Sequence, residues 1–97
     1  MILLQVNQIQ KYYGADLILS NDRKTIVVQA KRYRNTVGLK AIQEIVSAKG
    51  YYNANECWVI TNSYFTEPAW NLAESNNVVL IDRDQLIEWM YEVNQGA

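Results

Sequence analysis

Histidine is absent from this 97-residue chain. Its absence excludes a Ser-His-Asp triad, histidine-ligated zinc and histidine acid–base chemistry. Cysteine occurs once, as Cys57, so no internal disulfide can form. That thiol sits in a strand-like apolar run and reads as buried and inert, as suits a reducing cytoplasm. No apolar run approaches the roughly 20 residues of a membrane span. Met1-Ile2-Leu3-Leu4 is too short for a signal peptide and lacks the basic start. No linker, repeat or low-complexity tract divides the chain, and its length suits one small domain over residues 1–97.

Net charge is only −1, but it is unevenly distributed. Residues 1–50 carry eight basic and three acidic side chains, a balance of +5. Residues 51–97 carry Arg83 against seven acids, a balance of −6. A basic half beside an acidic half fits a face that meets a polyanion, and equally a solvated surface with uneven charge.

The pattern predicts the order βββαβαβα. Ile2 to Ile9 alternates loosely and reads as an edge strand, followed by a connection at Lys11-Tyr12-Tyr13-Gly14. Ala15–Leu19 and Thr25–Tyr33 read as two strands of a hairpin about the turn-like Ser20-Asn21-Asp22-Arg23. Thr36 is the expected N-cap of a helix through Lys49, with Gly50 as its C′ residue. Val37, Ala41, Ile42, Ile45, Val46 and Ala48 form that helix's apolar stripe. Cys57–Thr61 is apolar throughout and predicts a strand buried on both faces. Thr66 caps a short helix with Pro68 in its first turn. Val78–Ile81 is the last strand. Asp82 and Gln85 then open a helix expected to turn Leu86, Ile87, Met90 and Val93 inward. Two strands about a helix imply a right-handed parallel crossover, and the hairpin makes the sheet mixed.

The hairpin carries the chemistry. Gln29 and Lys31 share a face of their strand, about 7 Å apart at roughly 3.3 Å rise per residue. Pairing about the turn brings Asp16 to the same patch. A carboxylate, an amide carbonyl and an ammonium together suit phosphodiester hydrolysis. Asp16, the Gln29 side-chain oxygen and the Ala30 backbone carbonyl can hold a hard cation such as Mg²⁺ or Mn²⁺. Gln29 can alternatively orient a metal-bound water. Lys31 would position the attacking water and offset charge on the phosphate. The spacing D-x(12)-Q-x-K is also what a chance polar trio on a hairpin would show.

The run GADLIL…TIVVQAKRY, the amphipathic helix, WVITNSYFTEPAWNLAES and VVLIDRDQLIEWM follow one another from Gly14 to Met90. In content, order and spacing they resemble the Mrr-type restriction endonuclease domain of the PD-(D/E)xK nuclease superfamily. The resemblance implies an α/β, restriction-endonuclease-like mixed sheet flanked by helices. It implies Mg²⁺-dependent cleavage of DNA, often modified DNA, by a metal-activated water. Asp16 matches the family's metal-binding Asp, and Gln29 and Lys31 match the Q-x-K that stands for (D/E)-x-K in this branch. Thr61-Asn62-Ser63 and Phe65-Thr66 match a segment beside the active edge. Family members usually carry a helix with an acidic residue before the first strand. The first strand here begins almost at Met1, so that helix is expected to be missing. The expected consequences are weaker metal binding and a homodimer that covers the bared sheet face. The alternative function is a catalytically weak or inactive nuclease-fold module that binds DNA or a protein partner.

Other residues carry lesser expectations. Arg34 continues the third strand on the Lys31 face and would contact phosphate. Lys40 and Gln43 lie off the helix stripe; they read as DNA-facing or as solvated, and related nucleases place a helix Gln near the active site. Trp58, Trp70 and Trp89 read as core anchors.

Overall fold

A computed structural model describes residues 5–12 and 15–96. Its elements are β1 Gln5–Tyr12, β2 Ala15–Ser20, β3 Thr25–Lys31, α1 Leu39–Tyr51, β4 Glu56–Thr61, α2 Glu67–Ser75, β5 Val78–Ile81 and α3 Arg83–Gly96. The five strands form one sheet in the order β1-β2-β3-β4-β5. β1, β2 and β3 pair antiparallel. β3, β4 and β5 pair parallel, joined by crossovers through α1 and α2. The expected βββαβαβα order and mixed sheet are therefore present. β1 is at the edge and runs past its expected end at Ile9 to include Lys11 and Tyr12; residues 2–4, Tyr13 and Gly14 lie outside the described residues.

Alternation divides the sheet into two faces. Val27, Cys57, Val59, Val78 and Leu80 belong to the core beneath α1 and α2. α1 adds Ala41, Ile42, Ile45 and Ala48, and α2 adds Ala69 and Ala73. The small residues let helix backbones approach closely. β3 is central, so Ile26 and Val28 on its other face are buried as well. β4 is not buried on both faces as expected. Cys57, Val59 and Thr61 are buried, whereas Glu56, Trp58 and Ile60 are half-buried. Burial pushes the Cys57 thiol pKa up, which keeps it protonated and unreactive.

Several boundaries differ from the sequence expectation for physical reasons. Thr36 does not cap α1; Gly38 does, without a side-chain bond. Val37 is instead held extended. Its N–H donates to the Tyr64 carbonyl at 2.8 Å, and its carbonyl accepts from Thr66 N–H at 3.0 Å. The helix can begin only beyond that bridge. At the other end Gly50 remains helical, and Asn53 takes the left-handed conformation with φ 52°. Ala54 N–H then closes on the Lys49 carbonyl at 2.9 Å, the usual way to satisfy last-turn carbonyls. The other caps form as expected. Thr66 Oγ1 accepts from Ala69 N–H at 3.2 Å, and Asp82 Oδ1 accepts from Gln85 N–H at 3.1 Å.

The largest correction concerns α3. Ile87, Met90 and Val93 do not point inward; Met90 is 59% and Val93 71% exposed. α3 lies over the opposite face from α1 and α2, where the Trp89 ring meets Trp58 at 6.5 Å. It follows β5 at the sheet edge, so little sheet lies beneath it. Trp89 and Trp70 are exposed rather than core anchors, and Trp58 is half-buried. Trp70 packs edge-to-face on Phe65 at 5.7 Å.

Candidate active site

Asp16 reaches the site from the start of β2. The hairpin register pairs Leu17 with Val28, and one further step sets Asp16 opposite Gln29. Side chains opposite one another share a face, so Asp16, Gln29 and Lys31 lie on the α1 side of the sheet. The hairpin is closed at Asn21, whose Oδ1 accepts from Arg23 N–H at 2.9 Å and Lys24 N–H at 2.8 Å. That turn fixes the register on which the whole arrangement depends.

The contacts are specific. Asp16 Oδ2 accepts from Ala30 N–H at 2.9 Å, where strand pairing would otherwise end. A strand residue's N–H and C=O leave on the same side, so the Ala30 carbonyl also points toward β2 and Asp16. Gln29 is 4% exposed. Its Nε2 donates to Glu44 Oε2 at 3.1 Å. Lys31 Nζ stands 3.9 Å from the same oxygen, and 5.8 Å from the centroid of the Tyr33 ring. Gln29 Oε1 is buried with no hydrogen-bond partner among the described residues. Leaving an acceptor so costs about 1–3 kcal/mol.

The backbone after Lys31 is anchored from β4. Thr61 Oγ1 donates to the Lys31 carbonyl at 2.6 Å and accepts from Ser63 N–H at 3.1 Å. Ser63 Oγ donates to the Asn35 carbonyl at 2.8 Å, and Asn62 Oδ1 accepts from Tyr33 N–H at 3.0 Å. Thr61-Asn62-Ser63 therefore ties down the segment that carries Lys31.

Glu44 is the residue that sequence reasoning missed. It lies among Ala41, Ile45 and Ala48 at helical spacing, so it borders the buried side of α1. An acid on a buried helix flank, in a half with few acids, was the available signal. Gln43, its neighbour, is exposed and lines a groove with Leu72 of α2 and the C-cap residue Asn76. The structure does not bring it to the Asp16 group. Lys40 is exposed one turn before Glu44, on the same side of α1. β3 ends at Lys31, so strand alternation does not set the direction of Arg34 as expected. Arg34 instead lines a cleft of about 390 Å³ with Tyr33, Asn62, Ser63, Tyr64 and Arg83, at the C-terminal ends of the parallel strands. Tyr64 donates from its hydroxyl to Asp84 at 2.8 Å, which raises its pKa.

Among the described residues no three His, Cys, Asp or Glu side chains cluster to hold a metal. A cation here would depend on Asp16 together with amide and backbone oxygens. The orphaned Gln29 Oε1 supplies such an oxygen, and the donor set suits a hard divalent ion.

The restriction endonuclease model of the Mrr catalytic family matches residues 3–90. The chain belongs to that family. It is 36% identical over 88 residues to the type IV methyl-directed restriction enzyme EcoKMrr of Escherichia coli (strain K12), a match covering 87% of this chain and 29% of EcoKMrr. The Mrr-family chain thus spans less than a third of that relative's length. Two solved structures share its fold. The DNA modification-dependent restriction endonuclease AspBHI superposes with a TM-score of 0.69 at 18% identity, over 94% of this chain and 26% of AspBHI. The protein of unknown function AF1548 gives 0.68 at 17% identity, over 81% of this chain and 49% of its own. The AspBHI likeness supports a restriction-endonuclease-like fold for this Mrr domain.

Proposed function

We propose that this chain is a DNA-cleaving domain that hydrolyses phosphodiesters with a divalent cation, Mg²⁺ or Mn²⁺. One observation carries the reading. Asp16, Gln29 and Lys31 meet on one face, and the buried Gln29 Oε1 lacks a partner. A structural role gives no reason to retain an acceptor in that state, whereas a cation ligand does. Asp16, Gln29 and the Ala30 carbonyl would hold the ion. When bound, the cation lowers the pKa of a water and acts as a Lewis acid. Lys31 holds its ammonium beside this group and stabilises the negative charge that builds on the phosphate in the transition state. Half-burial strengthens that interaction, since less water screens it. Arg34 and Arg83 in the neighbouring cleft, with Lys40 on α1, would contact flanking phosphates.

DNA as substrate follows from family membership, and modified DNA from EcoKMrr and AspBHI. The 97 residues act as one domain, and a free Cys57 suits the cytoplasm. Among the described residues no helix is long and apolar enough to cross a membrane. The exposed apolar side of α3, where Leu86, Trp89, Met90 and Val93 line a groove of about 320 Å³, would seat a second copy. Sedimentation at micromolar concentration tests the dimer, and a monomer removes it.

The second reading, a module that binds DNA or a protein without cutting, is favoured by the absence of a three-residue acidic cluster among the described residues. Cleavage of methylated and unmethylated plasmid with Mg²⁺ or Mn²⁺ separates the two. Nicking abolished by both Asp16→Ala and Lys31→Ala supports the nuclease. No cleavage, or cleavage that survives Asp16→Ala, leaves the binding module.

A further inference from the structure

We propose that Glu44 is a positioning residue of the cation site. Its carboxylate fixes the Gln29 carboxamide so that Oε1 is presented to the ion, and it tethers Lys31 beside it. The inference rests on the nuclease reading above but concerns a residue outside the Asp-Gln-Lys pattern.

The geometry is directional. A carboxylate only accepts hydrogen bonds. The Gln29 group within 3.1 Å of Glu44 is therefore the NH₂ end, and Oε1 must face away. Oε1 is the buried atom with no partner among the described residues. Remove the Glu44 charge and the carboxamide can rotate by half a turn, placing NH₂ where the cation needs an oxygen. The same Oε2 lies 3.9 Å from Lys31 Nζ. One carboxylate thus orients both members of the Q-x-K pair. Groups that orient ligands from behind change metal affinity by about 10–100-fold when removed.

This pairing also explains the glutamine. An acid at position 29 would put a second carboxylate against Glu44 at the separation now bridged by a hydrogen bond. Like charges that close cannot both remain ionised without cost. With glutamine at 29, Asp16 and Glu44 provide two negative charges and Lys31 one positive. That is the balance an Asp, Glu and Lys site would have. Position 29 and position 44 therefore share one carboxylate between strand and helix.

The test is calorimetric titration of Mn²⁺ into the 97-residue chain, with melting temperature followed in the presence and absence of the ion. The variants are Glu44→Gln, Gln29→Glu, the double variant carrying both, and Asp16→Asn. Glu44→Gln is expected to bind Mn²⁺ about tenfold more weakly. Gln29→Glu alone is expected to lower the melting temperature without the ion. The double variant is expected to recover both affinity and melting temperature, because the shared carboxylate has moved rather than vanished. A merely structural Glu44 would leave the double variant as weak as Glu44→Gln, and that result overturns the inference. So does wild-type affinity in Glu44→Gln. If Asp16→Asn abolishes binding while Glu44→Gln does not weaken it, the inference falls and the nuclease reading stands. If the wild-type chain takes up no Mn²⁺, both fall.

Discussion

Replacing Gln29 with methionine separates a side chain kept for folding from one kept for a ligand. Methionine is close to glutamine in length and shape and carries no amide. Two effects oppose each other in the absence of cation. The substitution removes a buried acceptor without a partner, which relieves about 1–3 kcal/mol. It also removes the Nε2 bond to Glu44. Hydrogen bonds to a charged group contribute about 1.5–3 kcal/mol, but the Glu44 side chain is 35% exposed and regains water. The net change is therefore within about 1 kcal/mol of zero. For a domain of this size that is a melting-temperature change of no more than roughly 8 °C, in either direction. Cation-induced stabilisation should vanish together with cleavage. In wild type it should reach about 2.7 kcal/mol when the ion is at 100 times its Kd. Calorimetric melting with and without Mn²⁺ reads both quantities. A loss above about 3 kcal/mol without the ion would show that Gln29 is a structural keystone. Undiminished stabilisation by Mn²⁺ would show that Oε1 is not a ligand.

Thr61→Val keeps shape but strips the hydroxyl that holds the Lys31 carbonyl and the Ser63 N–H. It should cost about 1–3 kcal/mol in urea unfolding, with cleavage falling further than stability explains because Lys31 is released. Arg34→Ala and Arg83→Ala, in the polar cleft, should each weaken DNA binding and reduce its logarithmic salt slope by about 1; unchanged slopes would place the DNA elsewhere. The Lys24 ammonium, 2.5 Å from Glu56, holds that carboxyl below its ordinary value of 4.5, assisted by a hydrogen bond from Trp58 and opposed by burial. A depressed folded-state pKa gives stability that is complete above 4.5 and lost as pH falls through the folded value. Lys24→Met should accordingly reduce stability at pH 6 by about 0.2–1 kcal/mol, discounted for exposure, and leave it unchanged at the bottom of the acid limb. Equal losses at both pH values in melting curves would refute that linkage.

The element order was legible because its signals are local. β-branched residues mark β3, helical spacing marks α1, and Thr66 and Asp82 form caps from neighbouring atoms. The hairpin was legible too, but not its register, since a slip of one residue would turn Asp16 to the other face; the Asn21 turn pairs Ser20 with Thr25 and so sets Asp16, Gln29 and Lys31 on one face. What failed depended on the rest of the molecule. The inward stripe of α3 reads the same whether or not a sheet lies beneath it, and here the sheet edge leaves Met90 and Val93 exposed. The start of α1 was displaced by the Val37–Phe65 bridge, whose residues are distant in sequence. The sequence alone thus determined the elements, through short-range periodicity and capping, and pointed to the fold family and the Asp-Gln-Lys candidates through its resemblance to Mrr-type domains. Only the tertiary structure decided that Glu44 joins that patch, because the β3-to-β4 crossover lays α1 across the sheet and sets a helix acid against a strand amide fifteen residues away.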